Sequence, residues 1–337
     1  MRLKQIITIV ISVITTIILI YLLLKTISFN DFAEAFSKIS PLIILLSFAA
    51  YFLSYVFRAV RFRGLSQKIS FKKLFSIVCI HNFFNNIIPA RIGELSYVYL
   101  IGKQKDNSTE SGIASLVFTR IMDVGVTLLL SLLVLILFKS KLGLNKNAYA
   151  LLLVSIIAIF IISGLIIISR RKVDSLVKKT IDLTQIKKIG FFLSLLDKIK
   201  LSLEYFKTIV SKRTIILSVV YSLGIVFTQY IFFYLIMKDL GLELSFIKVV
   251  LGSILIFIVV ILPIQGIGGF GTYEGAWTIA LIYFGISLEM AITASFVIHI
   301  LQLAYLIILG IYGLIHYKLL DKREKINDPG IKPADVY

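Results

Sequence analysis

The stretch that decides the fold is Asn85-Asn86-Ile87-Ile88-Pro89-Ala90-Arg91-Ile92-Gly93-Glu94, a polar segment between the apolar residues 74–80 and 95–101. An arginine or a carboxylate at the centre of a bilayer costs about 2.5–3.5 kcal/mol on insertion scales. Pro89 and Gly93 interrupt a helix and free backbone groups that hydrocarbon cannot satisfy. We therefore predict that this stretch is the tip of a re-entrant hairpin, where it is buried in protein or lines a wet cavity.

The composition around this tip is that of a membrane protein. Of the 337 residues, 58% are hydrophobic, against about 45–50% in soluble domains. Several apolar runs are long enough to cross a hydrocarbon core of about 30 Å. The fold class predicted is an all-α polytopic membrane protein. The formal charge of +18 is concentrated in short loops on one side, as the positive-inside rule requires, so it indicates orientation and not nucleic-acid binding.

We predict about six full spans and two re-entrant helical hairpins, with both termini cytoplasmic in the cell membrane. The spans are residues 5–24, 41–60, 109–138, 148–169, 214–237 and 289–317, and the hairpins are residues 71–102 and 247–285. We assign the basic cluster after the second span to a cytoplasmic loop: Arg58, Arg61, Arg63, Lys68, Lys72 and Lys73.

The longest predicted loop, 170–213, contains a stretch with alternating apolar and basic character. In residues 186–210 apolar side chains recur at helical spacing with lysines between them. This pattern predicts an amphipathic helix on an anionic leaflet, with a calmodulin-target type of helix as the alternative.

The two halves of the chain share spacings. Pro89 lies 26 residues after Arg63, and Pro263 lies 25 residues after Lys238. The other matched offsets are Glu94 to Arg120 and Glu274 to His299, with Asp123 and Gln302 three residues further on. Inverted repeats with broken helices are typical of secondary transporters, although two such tips can also coincide by chance. We assign residues 1–141 to the first repeat, 142–320 to the second and 321–337 to a disordered tail.

The candidate substrate-binding residues are the polar and charged side chains near the two tips. They are Asn85, Asn86, Arg91, Glu94, Arg120, Asp123, Gln265, Glu274, His299 and Gln302. One interpretation is a set of structural ion pairs, such as Arg91 with Glu274 or Arg120 with Glu94. The other is that Arg91 or Arg120 holds a phosphate, which suits guanidinium geometry, while the acids pair with those arginines or relay protons.

Enzymatic and cofactor signals are weak in this sequence. The glycines between 266 and 271 are followed by no Lys-Ser/Thr pair and match neither a phosphate loop nor a dinucleotide fingerprint. We predict no cofactor and no metal site, and we leave catalysis undecided, with a transporter-like role favoured over an enzyme.

Two motifs carry a family resemblance: Pro89-x-Arg91-x-Gly93-Glu94, and Gly266-Ile-Gly-Gly-Phe-Gly-Thr-Tyr-Glu274. The chain resembles the flippase-like membrane domain of lysylphosphatidylglycerol synthases over about residues 5–320, in a stand-alone form without the soluble lysyl-transfer domain. A further basic residue common in the family after the first Glu is replaced here by Ser96, Tyr97 and Tyr99. The resemblance implies translocation or handling of a lipid.

Three functions stay open at this point. The first is translocation of a phospholipid or a polyprenyl-linked lipid, whose anionic or lipid-linked headgroup would be the partner. The second is a membrane enzyme that acts on lipid headgroups. The third is a membrane partner of a separate glycosyltransferase or synthase, docked through the basic loop 170–213.

Overall fold

The computed structural model describes residues 29–66, 69–88, 93–137, 208–261 and 267–327, with a few single positions outside these ranges. Every regular element in this part is helical. Most of the predicted spans 5–24 and 148–169 and most of the loop 170–213, including most of segment 186–210, lie outside the described residues.

In the described part, the chain folds into nine α-helices. They are α1 Phe29–Ser37, α2 Pro41–Arg63, α3 Phe71–Ile87, α4 Glu94–Gly102, α5 Thr109–Leu137, α6 Lys212–Asp239, α7 Phe246–Ile261, α8 Thr272–Tyr283 and α9 Leu288–Asn327. A short 3₁₀ turn, Ile267–Gly269, precedes α8. Four helices are long and apolar enough to cross a membrane, namely α2, α5, α6 and most of α9, and they coincide with four predicted spans.

Serine residues fix where several of these helices begin. The hydroxyl oxygens of Ser40, Ser70 and Ser211 accept hydrogen bonds from backbone N–H groups three residues on, at the starts of α2, α3 and α6. Such caps satisfy one of the N–H groups that have no partner inside the helix. Pro41, at the first position of α2, loses nothing there because its missing N–H would have had no partner.

Both predicted hairpins are pairs of packed helices separated by a break. Helix α3 packs on α4, and α7 packs on α8. At the first break, Gly93 passes so close to the end of α3 that a Cβ atom would lie 2.2 Å from the Phe84 carbonyl carbon. At the second, Gly268, Gly269 and Gly271 have φ angles of 63°, 80° and 83°, which other residues rarely adopt.

The helix contacts of the first half recur in the second. Helix α4 packs on α5 as α8 packs on α9, and α3 packs against α9 as α7 packs against α5. The most extensive contact joins α2 and α6, the long helices that precede the two hairpins. The core between them is aromatic, with the ring centroid of Tyr51 5.6 Å from that of Phe232 and 5.9 Å from that of Tyr305.

The C-terminal boundary predicted for the ordered part was wrong by several residues. We predicted a disordered tail from residue 321, but α9 continues to Asn327. The reason is an ion-pair cluster with α3: the buried Lys73 ammonium pairs with Glu324 and lies 3.8 Å from an Asp321 oxygen. Residues 328–337 lie outside the described part.

The close approach at Gly93 gives a test of the first hairpin. We expect Gly93→Ala to lower the free energy of unfolding by about 1–3 kcal/mol, the usual range for overpacking, because the added methyl group meets the backbone of Phe84 and Asn85. The matched control is Gly125→Ala in α5, where a Cβ atom meets nothing within 4 Å. Gly125→Ala should gain stability, because alanine has a better helix propensity than glycine.

Thermal unfolding in detergent measures the stability of both variants. A Gly93→Ala protein as stable as the wild type would contradict this packing.

Candidate functional site

A cavity of about 180 Å³ lies between the two hairpins and the long helices. Its first-half lining is formed by Tyr51, Tyr55 and Arg58 of α2, Asn82, Asn85 and Asn86 of α3, and Arg120, Asp123 and Thr127 of α5. Its second-half polar lining is formed by Gln229, Tyr230, Ser253, Thr272, Tyr273, His299 and Gln302, with the glycines 268 and 269. Polar groups from both halves therefore share one chamber between apolar helices.

The structure places most of the predicted site residues at this cavity. Asn85, Asn86, Arg120, Asp123, His299 and Gln302 line it. Glu94 and Glu274 lie directly behind the lining and contact Arg120 and His299. Arg91 and Gln265 lie outside the described residues, so the expected pairing of Arg91 with Glu274 is not described. Which of these residues bind a ligand stays a prediction.

In each half, a side-chain contact from a glutamate joins the start of a hairpin's second limb to the helix that follows. Glu94 Oε1 lies 2.8 Å from Arg120 Nη2, which confirms the expected pair. Glu274 Oε1 lies 2.6 Å from His299 Nδ1. The two contacts occupy the sequence positions matched between the halves, and a hydroxyl contact lies within about a turn of each, with Tyr97 to Ser115 at 3.1 Å and Thr278 to Ser295 at 3.2 Å.

The pairing of Asp123 differs from the prediction. We expected Asp123 to pair with Arg91 or Arg120, but its carboxylate accepts hydrogen bonds from both terminal nitrogens of Arg61. Arg61 is only 2% exposed and also donates to Ser222 Oγ at 2.6 Å. The assignment of Arg61 to a cytoplasmic loop was therefore wrong: its side chain joins helices α2, α5 and α6 inside the protein.

The assignment of Arg58 to the same loop was also wrong. Its side chain lines the cavity, and its Nε atom is buried without a hydrogen-bond partner in the described part of the chain. A periodic signal in the sequence could have found it, because Ser47, Tyr51, Ser54, Arg58 and Arg61 recur every three or four residues. Such a stripe marks one face of a helix, and a polar stripe on an apolar helix faces the protein interior.

Polar atoms without partners are concentrated at this cavity. In the described part of the chain, the buried atoms without a hydrogen-bond partner include Arg58 Nε, Arg120 Nε, Asn85 Oδ1 and Thr127 Oγ1, all on residues that line the cavity. A buried polar group without a partner costs about 1–3 kcal/mol. A cavity lined by so many polar and charged residues suits water or a polar ligand.

Comparison with known protein families identifies the family of this chain. Residues 5–310 match the family model described as Lysylphosphatidylglycerol synthase TM region. The chain belongs to this family. The match to the lysylphosphatidylglycerol synthase TM region includes both hairpins and every residue around the cavity. This family match indicates that the chain is an integral membrane protein tied to lipid handling. A comparison with curated proteins finds no match.

Proposed function

We propose that the chain moves a lipid between leaflets by binding its phosphate-bearing headgroup in the cavity. The observation that carries the proposal is the Arg58 guanidinium. It lines the cavity and takes part in none of the ion pairs of the described residues, where Arg61 holds Asp123 and Arg120 holds Glu94. A guanidinium group in a low-dielectric site attracts an anion, and its fork matches the oxygens of a phosphate.

Arg120 supplies a second contact for the same headgroup. Its Nη2 atom is bound by Glu94, and its side chain is part of the cavity lining. The side-chain amides of Asn82, Asn85 and Asn86 lie on the same wall and can bind the hydroxyl groups or ester oxygens of a headgroup. A phospholipid and a polyprenyl-linked lipid both present a phosphate, so the proposal covers both classes.

The arrangement of helices supports movement of that headgroup across the membrane. The helix contacts and the glutamate contacts of one half recur in the other, which favours an inverted-topology repeat whose hairpins enter from opposite faces. In such transporters the site lies near the midplane between the repeats, and rocking of one repeat exposes it to either side. The basic residues Arg63, Lys103, Lys105, Lys318 and Lys322 favour a cytoplasmic position for that end of the bundle, in the cell membrane.

Reconstitution tests this function. The protein is placed in phosphatidylcholine vesicles with a dye-labelled phosphatidylglycerol, and the outer-leaflet dye is bleached with dithionite. We expect the labelled lipid to move between leaflets faster than in protein-free vesicles. Mass spectrometry of the same vesicles shows whether the headgroup has been altered. Movement no faster than in protein-free vesicles, or an altered headgroup, would contradict translocation, and the second result would favour an enzyme.

A further inference from the structure

The His299–Glu274 pair lies deeper in the protein than its counterpart in the first half. Glu274 is 0% exposed and His299 is 3% exposed. The Glu274 carboxylate accepts a hydrogen bond from the Gly271 N–H at 2.7 Å through one oxygen and contacts His299 Nδ1 at 2.6 Å through the other. This carboxylate therefore fixes the orientation of the imidazole ring next to the tip of the second hairpin.

The second ring nitrogen of His299 contacts the tip itself. Its Nε2 atom lies 2.9 Å from the carbonyl oxygen of Gly268. The rings of Tyr273 and Phe270 hold the imidazole from its sides, with centroids 4.5 Å and 4.8 Å away. Both nitrogens face oxygen atoms, so with Glu274 ionised both contacts are hydrogen bonds only when the ring carries two protons. Without its second proton, one nitrogen turns a lone pair toward an oxygen.

The geometry indicates which proton can leave. The Nδ1 proton is held by a carboxylate, and such charge-assisted hydrogen bonds are about twice as strong as neutral ones. The Nε2 proton is held by a neutral carbonyl group beside the cavity. Loss of the Nε2 proton would replace a hydrogen bond by repulsion between two lone pairs, and this would loosen the contact between α9 and the tip.

Other titratable and charged groups surround His299 on the elements that pack against α9 or face it across the cavity. They are Tyr273 and Glu274 on α8, Tyr51, Tyr55 and Arg58 on α2, Tyr230 on α6, and Arg120 and Asp123 on α5. Helix α3 carries His81, whose ring faces Tyr97, and α1 carries Glu34 and Lys38, which pair with each other at the surface.

The charges around the cavity favour exchange of one proton for one anion. Among the described residues, the guanidinium groups of Arg58, Arg61 and Arg120 are matched by the carboxylates of Glu94, Asp123 and Glu274. The set is neutral when His299 is neutral and carries one positive charge when His299 is protonated. A phosphodiester carries one negative charge, so it restores neutrality in a low-dielectric site only when the histidine is protonated.

From this we infer that His299 takes up one proton with each phosphate-bearing headgroup and releases it when the headgroup leaves, so that a proton gradient drives the lipid. The inference rests on the proposed function. On uptake, the Nε2 lone pair forms an N–H bond with a proton from cavity water, and this N–H donates to the Gly268 carbonyl group. On release, that bond breaks and the proton returns to water.

The test measures where the lipid accumulates. Dye-labelled phosphatidylglycerol is allowed to equilibrate between the leaflets of vesicles that contain the protein, with a pH difference of about one unit across the membrane. One proton per lipid predicts a leaflet ratio shifted about tenfold, because a pH unit is worth about 1.36 kcal/mol. His299→Gln and His299→Arg, which cannot exchange this proton, are expected to give equal occupancy of the two leaflets. Protein-free vesicles correct for leakage.

His316→Gln is the matched control. His316 lies on the same helix about 25 Å away, at 1.5 Å per residue, and contacts Ser76 Oγ at 2.8 Å outside the cavity. The control is expected to keep the tenfold shift. Lipid movement without a shift in the wild type would overturn the coupling and leave the proposed function standing, whereas absence of any movement would overturn both. A His299→Gln protein that still shifts the lipid tenfold would also overturn the coupling.

Discussion

Arg58→Gln is expected to slow protein-dependent lipid movement by about 30-fold or more. Arg58 is the guanidinium in the cavity that no carboxylate of the described residues binds. Removing one partner of a buried, hydrogen-bonded charge pair costs about 2–5 kcal/mol, and 2 kcal/mol corresponds to about 30-fold. The dithionite assay with labelled phosphatidylglycerol measures the rate.

Two further variants separate this role from a general effect of charge. Arg63→Gln removes an exposed arginine at the end of the same helix and should leave the rate unchanged. Arg58→Lys keeps the charge but loses the fork, so it should give an intermediate rate. Arg58→Gln should not lower the thermal stability, because it removes a buried Nε atom that has no partner among the described residues. A wild-type rate in Arg58→Gln would exclude Arg58 from headgroup binding.

The second large effect concerns stability. Asp123→Ala is expected to lower the free energy of unfolding by about 3–5 kcal/mol, because it leaves the buried Arg61 guanidinium without its carboxylate. The double variant Arg61→Met with Asp123→Leu removes both charges and should recover most of that loss, since apolar replacements of buried pairs are often neutral. Thermal unfolding in detergent measures both.

The control for this pair is an ion pair at the surface. Glu34→Ala breaks the ion pair between Glu34, whose side chain is 67% exposed, and Lys38, whose side chain is 64% exposed. Exposed ion pairs contribute about 0–1 kcal/mol to stability. Glu34→Ala should therefore change stability far less than Asp123→Ala. If the two variants lost equal stability, or if the double variant were as unstable as Asp123→Ala, the Arg61–Asp123 pair would not join the three helices as described.

Much of the helical framework could be predicted because its signals are local in the chain. Apolar runs placed α2, α5, α6 and most of α9 within a few residues, and the Pro-Gly stretches placed the two breaks. Gly93 shows why such a break could be predicted: only a residue without a side chain fits against Phe84. The need to offset charges inside the membrane also predicted the Glu94–Arg120 pair, whose two residues lie on consecutive helices, α4 and α5.

The partners that come from distant helices could not be predicted in the same way. Arg58 and Arg61 follow an apolar run and precede more basic residues, so the positive-inside rule placed them in a loop. Their burial depends on Asp123 and Ser222, and the contact between α2, α5 and α6 is a tertiary arrangement that spacing along the chain does not encode. The extension of α9 past residue 320 likewise depends on Lys73 of α3.

Headgroup binding is tested most directly by the position of a lipid phosphate in a cryo-EM structure of the protein in nanodiscs that contain phosphatidylglycerol. We expect density for the phosphate in the cavity, within hydrogen-bonding distance of the Arg58 and Arg120 guanidinium groups, and loss of this density in Arg58→Gln. Lipid density confined to the outer faces of the bundle, with only water beside Arg58, would contradict it.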